Sequence, residues 1–247
     1  MFLNAYDLFD GEKLKIIQQW VDNMPFFIGA KDTTSRFLIV GNCFAKAAGM
    51  RSGDSLKGRY DVDVKCELKQ IAPLFTTEDT LVTGKRVSLT ILTYGFYAHN
   101  KPILIYGKKY PITDKNGVTV LGCGFCFQDM TTSQLINLVP LLSMRKTVYG
   151  NCRLGNQFSC IIAESIPEYD LSRRQIECLF HLLRGQSAND IAITLNISKR
   201  TVETHIDTIK FKLGCDTKSQ LIDKAVSTGL LNYIPNSLLS SVLSHNS

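Results

Sequence analysis

Four helix starts, each marked by its own capping residue, constrain this chain more than anything else in it. They lie in the run LSRRQIECLFHLLRGQSANDIAITLNISKRTVETHIDTIKFKLGCDTKSQLIDKAVSTGLL, from Leu171 to Leu231. Ser172 with Gln175, and Thr217 with Gln220, have the Ser/Thr-x-x-Gln spacing of a capping box, in which each side chain satisfies the other residue's free backbone N–H. Ser187 and Ser198 stand before two further periodic runs, and Gly185 and Gly229 close the first and last helices. The apolar positions are Ile176, Leu179, Phe180 and Leu183, then Ile191, Ala192 and Leu195, then Val202, Ile206, Ile209 and Leu213, and finally Leu221, Ile222, Ala225 and Val226. Each set repeats at helical spacing. The stretch therefore encodes four short amphipathic helices around one small core.

The third of these, SKRTVETHIDTIKFKLG from Ser198 to Gly214, keeps its apolar residues on a single stripe. Off the stripe lie Lys199, Arg200, Glu203, Thr204, His205, Asp207, Thr208, Lys210 and Lys212, side chains that donate or accept hydrogen bonds as reading bases and phosphates requires. Taken alone, the segment is equally an ordinary amphipathic surface helix. Asn196-Ile197-Ser198 is a three-residue turn joining it to the helix before it, and that is the helix-turn-helix layout.

Residues 168–231 resemble a LuxR-type DNA-binding domain. The resemblance is carried by Glu177, Gly185-x-Ser187, Ile191-Ala192, Leu195-x-Ile197-Ser198, Thr201-Val202, His205, Lys212-Leu213-Gly214 and Gln220. It implies double-stranded DNA as a partner, with Ser187 and Asn189 near the duplex. Ser198, Lys199, Arg200, Thr201 and His205 would lie on the backbone at the start of the recognition helix. Glu203, Thr204, Asp207 and Thr208 would face base edges, and Lys210 and Lys212 would meet phosphates. Glu177 would fix the first helix through a charge pair, and the fourth helix would supply a dimer contact. The chain departs from the family pattern at Glu203 and Asp207, where basic or neutral groups are common. These acids either accept from cytosine amino groups or pair with Lys199 and Lys210 along the helix; pairing is favoured. Phe211 stands where Arg is frequent.

The first half has a different texture. FFIGA and RFLIV are short, apolar and separated by the polar turn KDTTS, which reads as a hairpin. NCFAKAAG, GRYDVDVKCELKQIAPLF and TTEDTLVTG read as short helices, with Gly49 and Gly84 as stops. RVSLTILTY, PILIYGKKYP and VTVLGCGFCFQD are three further strands, the last two joined by the turn from Asp114 to Gly117. Two strands, a helical interlude and three strands make a five-stranded antiparallel sheet with helices on one face. The chain as a whole is α+β: residues 1–131 carry that sheet, with a helix from Glu12 to Val21 before it, and residues 168–231 are all-α.

From about Asn23 to Thr131 the residues resemble a PAS sensor domain. The match includes MPFFIGAKD, Asn42-x-Phe44, Gly49, Gly58, Glu78-Asp79 with Leu81 and Gly84, Lys109-x-Pro111, Asp114-x-x-Gly117 and Asp129-Met-Thr131. It implies a domain that binds a small ligand, senses a partner protein or dimerises. Haem-binding members take a histidine from the interlude, and residues 60–84 contain none; His99 falls in a loop and reads as solvated. Cys66, in VKCELK, does not fit the flavin-binding motif, and the Asn151-Cys152-Arg153 run lies outside the domain. No cofactor is therefore expected. Phe27, Phe37, Ile39, Phe44, Phe75, Leu81, Leu104, Phe125 and Phe127 either line a pocket for an apolar small molecule or simply form the core, and most apolar clusters are core.

Residues 132–167 read as a helical connector. Leu135, Leu138, Val139 and Leu142 stand at helical spacing, interrupted by Pro140, and form either a seam between two subunits or a helix folded back on its own sheet. The tail, residues 232–247, carries Leu238, Leu239, Val242 and Leu243 as a short docking helix. No apolar run approaches the roughly 20 residues that span a bilayer, and the N-terminal residues are acidic where a signal peptide is basic, so a cytoplasmic protein is expected. Eight scattered cysteines include one CxxC, Cys123 to Cys126, within a strand. Residues three apart in a strand point to opposite faces and do not chelate one metal, so a structural role is expected there.

The net charge of +6 does not concentrate in the helical part: residues 1–131 hold 16 basic and 13 acidic side chains, and 168–231 hold 9 and 8. DNA binding must then rest on where a few cations sit. The sequence shows no nucleophile–base pair, metal cluster or phosphate-cradling loop, so an enzyme is not expected. The strand and helix order of residues 1–131 also fails to match a phosphorylated receiver domain. Two readings remain. One is a homodimeric transcription regulator, working on the transcription machinery, whose first domain senses a small molecule or a protein. The other is a constitutive DNA-binding dimer whose first domain is only a scaffold.

Overall fold

The computed structural model describes residues 11–143 and 157–243. The later part of the connector, including Asn151-Cys152-Arg153, and the chain ends lie outside the described residues. The contacts divide the chain into two units, one of residues 1–136 with 154–159 and one of residues 137–153 with 160–247.

The first unit begins with α1 (Gly11–Asp22), followed by the hairpin β1 (Phe27–Asp32) and β2 (Phe37–Val40), and then α2 (Asn42–Ala47). After an interlude come α3 (Ala72–Lys85), β3 (Leu89–Phe96), β4 (Pro102–Thr113) and β5 (Val120–Asp129). The five strands are antiparallel in the order β2-β1-β5-β4-β3, so the two chain-terminal strands of the sheet, β1 and β5, are neighbours at its centre. This is the PAS-like sheet that the strand–helix order implied. In the β4–β5 turn the Asp114 carboxylate accepts from the backbone N–H of Asn116 and Val118, and Gly117 takes a positive φ.

Alternation along the strands decides which residues face the helices. Phe27, Gly29 and Lys31 share the buried face of β1, and Cys123, Phe125 and Phe127 that of β5. Cys126 lies on the other face, half-buried, and burial pushes the Cys123 thiol up to about 12. His99 is exposed.

The interlude corrects the expectation of a helix over GRYDVDVKCELKQIAPLF. It consists of three 3-10 turns, Gly53–Leu56, Asp61–Asp63 and Glu67–Ile71, before α3 begins. Local side-chain hydrogen bonds compete with helix formation here: Asp63 accepts from the Tyr60 N–H, and Asp61 turns inward to Lys31. Pro73 sits in the first turn of α3, where its missing N–H costs nothing. Gly84 is not the stop; α3 continues to Lys85 and closes on Arg86 in the left-handed conformation.

In the connector, a 3-10 turn (Gln134–Leu138) leads into α4 (Val139–Ser143). Pro140 divides what the spacing suggested as one helix. Leu135, Leu138 and Leu142 are buried within the chain, so they do not present a free seam to a second copy. The connector is also not wholly helical: residues 158–163 form strand β6 (Phe158–Ala163), whose run FSCIIA is apolar and partly β-branched. Phe158 and Ser159 belong to the first unit, where β6 follows β3 in the hydrogen-bonded order, and Cys160 to Ala163 belong to the second.

The second unit contains α5 (Arg173–Leu182), α6 (Ala188–Leu195), α7 (Lys199–Leu213), α8 (Lys218–Ser227), strand β7 (Tyr233–Pro235) and α9 (Asn236–Leu243). Every expected cap is present. Gln175 and Gln220 accept from the N–H groups of Ser172 and Thr217, Ser187 caps α6 with Asp190, and Ser198 accepts from the Thr201 N–H. Ile176, Leu179, Ile191, Val202, Ile209, Leu213, Leu221 and Ala225 close one core. Two elements are additional to the expected four helices. β7 pairs in parallel with β6, and α9 places Leu239 in the core while Ser237 donates to Glu177.

Candidate sensor cavity and DNA interface

The first unit contains a half-open cavity of about 30 Å³ between the sheet and the helices. Five of the nine expected apolar residues are in its wall: Phe37, Phe44, Phe75, Phe125 and Phe127. The other four are elsewhere. Phe27 packs on Phe44 and Tyr97 behind the wall. Leu104 precedes the wall residue Ile105 and faces the other side of the sheet, while Ile39 and Leu81 are half-buried outside it.

The polar half of the cavity was not expected. Lys31, Asp61, Glu78, Thr93, Tyr97 and Lys109 all line it. Lys31 Nζ lies 2.5 Å from Asp61 and 2.9 Å from Asp79, and Lys109 Nζ lies 2.6 Å from Asp79 and 3.0 Å from Glu78. Burial alone would raise the Asp79 carboxyl, but Lys109 and Lys31 pull it well below the ordinary range. At Asp61 burial wins and the carboxyl is raised in spite of Lys31. Burial would lower both lysines, yet the carboxylates around them hold them above the ordinary value and therefore charged. Tyr97 is 1% exposed, and its hydroxyl has no hydrogen-bond partner among the described residues. Glu78 Oε2 is near Lys109 in charge but lacks hydrogen-bond geometry. An unpaired buried polar group costs on the order of 1–3 kcal/mol.

Sequence signals for this cluster existed. Phe75, Glu78, Asp79 and Val82 stand at i, i+3, i+4 and i+7, so two acids occupy the inward stripe of α3. Lys109 shares a face of β4 with Ile103 and Ile105. Charged residues on a buried stripe need partners, and here each sign supplies the other's.

In the second unit α6 and α7 are joined through Asn196, in the left-handed conformation, and Ser198, which starts α7. Val202, Ile209 and Leu213 of α7 are buried, and Ser198, Lys199, Arg200, Thr201, Glu203, Thr204 and Asp207 are exposed together. His205, Thr208 and Lys210 are half-buried at the margin, and Ser187 and Asn189 are exposed at the start of α6. The Thr204 and Thr208 hydroxyls donate to the carbonyls of Arg200 and Thr204, which leaves their oxygens as acceptors. Lys199 lies 3.6 Å from Glu203, and Lys210 lies 2.9 Å from Asp207. Residues 170–225 match the family model described as bacterial regulatory proteins, luxR family.

Residues 170–225 are a LuxR-family domain. The chain is 37% identical over 75 residues to the transcriptional activator protein AhyR of Aeromonas hydrophila, covering 30% of this chain and 28% of AhyR. It is 37% identical over 134 residues to the transcriptional activator protein LuxR of Aliivibrio fischeri, covering 52% and 51%. The matches thus span between about a quarter and a half of those relatives. Among solved structures, a Vibrio cholerae VqmA dimer is 24% identical, with 94% of this chain and 93% of that chain covered and a TM-score of 0.46. A phage VqmA–DPO complex is 28% identical, with 92% of each chain covered and a TM-score of 0.46.

Within the LuxR-family domain, two of the anticipated roles look different in three dimensions. Lys212 is engaged inside its own domain: its ammonium donates to the Asp170 carbonyl, lies 2.9 Å from the Asp170 carboxylate and reaches Gln175 at 3.2 Å. Glu177, 2% exposed, pairs with Arg174 at 2.8 Å and Arg173 at 3.3 Å on its own helix, and takes the Ser237 hydroxyl from α9. Burial would raise its carboxyl, but the bonds from Ser237 and Arg174 hold it below the ordinary glutamate value. Phe211, on α7, is 86% exposed.

Proposed function

We propose that this chain is a bacterial DNA-binding transcription regulator. Two copies would each insert α7 into a major groove of one operator, and the first unit would adjust that activity by binding a small molecule or a protein. The observation that carries the reading is the exposed face of α7, where Ser198, Lys199, Arg200, Thr201 and Thr204 lie together at the helix's positive end, with the apolar stripe turned into the core. Phosphates would be met by the side chains and free N–H groups at that end, and bases by Thr204 and Thr208, with Asp207 turned to Lys210. Because Glu203 and Asp207 have lysine partners, their charge repels the duplex less than their number suggests. Among the described residues no helix is long and apolar enough to cross a membrane. In this reading the regulator would act in the cytoplasm, on the transcription machinery.

The test is selection of duplexes from a random pool by the full chain, followed by titration of the selected site. A shared, two-fold symmetric motif bound in preference to random duplex supports the reading. Recovery of no motif overturns it.

A second reading, in which the first unit is only a scaffold, draws on one observation: the volume of the cavity, about 30 Å³, is that of about one or two waters. The two readings separate by native mass spectrometry of the freshly purified chain and by thermal shift across a compound collection. A retained or stabilising small molecule supports sensing, and an empty, unresponsive chain supports the scaffold.

A further inference from the structure

The start of β6 is held to the first unit by buried polar side chains, which is an unusual way to fix the entrance of a connector. Gln157, 6% exposed, accepts from the Phe96 N–H at 2.9 Å and donates to the Glu67 carbonyl at 3.1 Å and to Gln70 at 3.3 Å. Ser159, 1% exposed, donates to Glu78 Oε1 at 2.5 Å and shares a hydrogen bond of 2.7 Å with Thr93. Gly95 makes the approach feasible: a Cβ there would stand 2.5 Å from Leu68 Cδ1 and 2.9 Å from Gln157 Oε1. Glu78 and Thr93 are also cavity residues. Glu78 therefore has one oxygen on the connector strand, while the other faces Lys109 at 3.0 Å without a hydrogen bond.

We propose that Glu78 is a relay between the cavity and the connector, with Ser159 as its receiving group. A hydrogen-bond donor entering the cavity finds Oε2 unsatisfied and competes with Lys109 for it. The carboxylate then turns, and Ser159 passes from two partners to Thr93 alone. The strand that continues into the second unit is thereby clamped more or less firmly according to what the cavity holds. This inference rests on the small-molecule reading of the first unit. It names the residues through which occupancy would leave that unit. By linkage, whatever loosens Ser159 must alter the cavity to the same extent.

The experiment needs no identified ligand. Amide hydrogen exchange over Cys160 to Ile162 is measured on the full chain for the wild type, Ser159→Ala, Lys109→Gln and the double variant. Ser159→Ala is expected to accelerate exchange on the order of tenfold, the equivalent of one hydrogen bond, and Lys109→Gln by more, because it also removes a partner of Asp79. The double variant should exceed the faster single one by no more than about threefold, because both act through Glu78. Rates that multiply would overturn the relay. Should Lys109→Gln fail to fold, the ¹⁵N shift of the Lys109 ammonium is read in Ser159→Ala against wild type: a shift supports the relay and an unchanged signal refutes it. Loss of the relay leaves duplex selection untouched, and loss of ligand binding leaves the exchange coupling untouched, so the failures are distinguishable.

Discussion

Lys31 and Lys109 share one carboxylate: Asp79 stands between them, 2.9 Å from the first ammonium and 2.6 Å from the second. All three side chains are less than 5% exposed. Removing one member of such a cluster strands the others in a poorly hydrated site, which typically costs about 3–5 kcal/mol. Asp79→Asn should therefore lower the denaturant midpoint of the first unit by a corresponding amount, read by tyrosine fluorescence. The pH dependence has a definite sign. The folded carboxyl is held below its unfolded value of about 3.9, so its stabilisation is complete above that pH and is lost as pH falls below it. Asp79→Asn should flatten the acid limb in that window.

Glu177 and Ser237 join α5 to α9 by a hydrogen bond of 2.5 Å. A hydrogen bond to a charged group contributes about 1.5–3 kcal/mol. Ser237→Ala should lower the stability of the second unit by roughly that much. The Glu177 carboxyl, now held below the ordinary glutamate value, should titrate higher. Carboxyl-detected NMR reads both. Its stabilisation is present above the unfolded glutamate value of about 4.3 and disappears as pH falls through the folded one.

Asp207 lies 2.9 Å from Lys210, an i,i+3 pair on an exposed helix face. Such pairs stabilise by about 0.2–0.5 kcal/mol, enough to orient the side chain but not to anchor the fold. Asp207→Ala should leave the selected duplex motif unchanged. A relaxed preference at one base position would assign Asp207 to base reading instead.

Lys212 belongs to the domain more than to the duplex, because Asp170 and Gln175 already occupy its ammonium. Lys212→Ala should leave the salt dependence of duplex binding at its wild-type slope. A slope reduced by about 0.9, the value for one phosphate contact, would show that Lys212 leaves Asp170 on binding.

The second unit was largely legible because its information is local. Caps at Ser172, Ser187, Ser198 and Thr217 and stripes such as Val202, Ile209 and Leu213 each fall within a few residues of sequence. The strands of the first unit were legible for the same reason. What escaped is non-local. Lys31, Asp61, Asp79 and Lys109 come from four separate elements, and nothing near any one of them names the partner that makes its burial tolerable. β6 escaped because its run FSCIIA is short and flanked by glycine-containing chain, and its pairing with β7 spans some seventy residues, Ile161 to Tyr233. The partner of Glu177 escaped likewise, since Ser237 lies in a tail that shows only a few leucines at helical spacing.

The most direct test of the role assigned to α7 is the salt dependence of duplex affinity for the full chain and for Lys199→Ala, Arg200→Ala and their combination, measured by fluorescence anisotropy on the selected duplex. Each substitution should weaken binding to specific and random duplexes alike and reduce the slope of log affinity against log salt by about 0.9 per lost contact. Unchanged affinity and slope in the double variant would contradict the placement of the duplex on the start of α7.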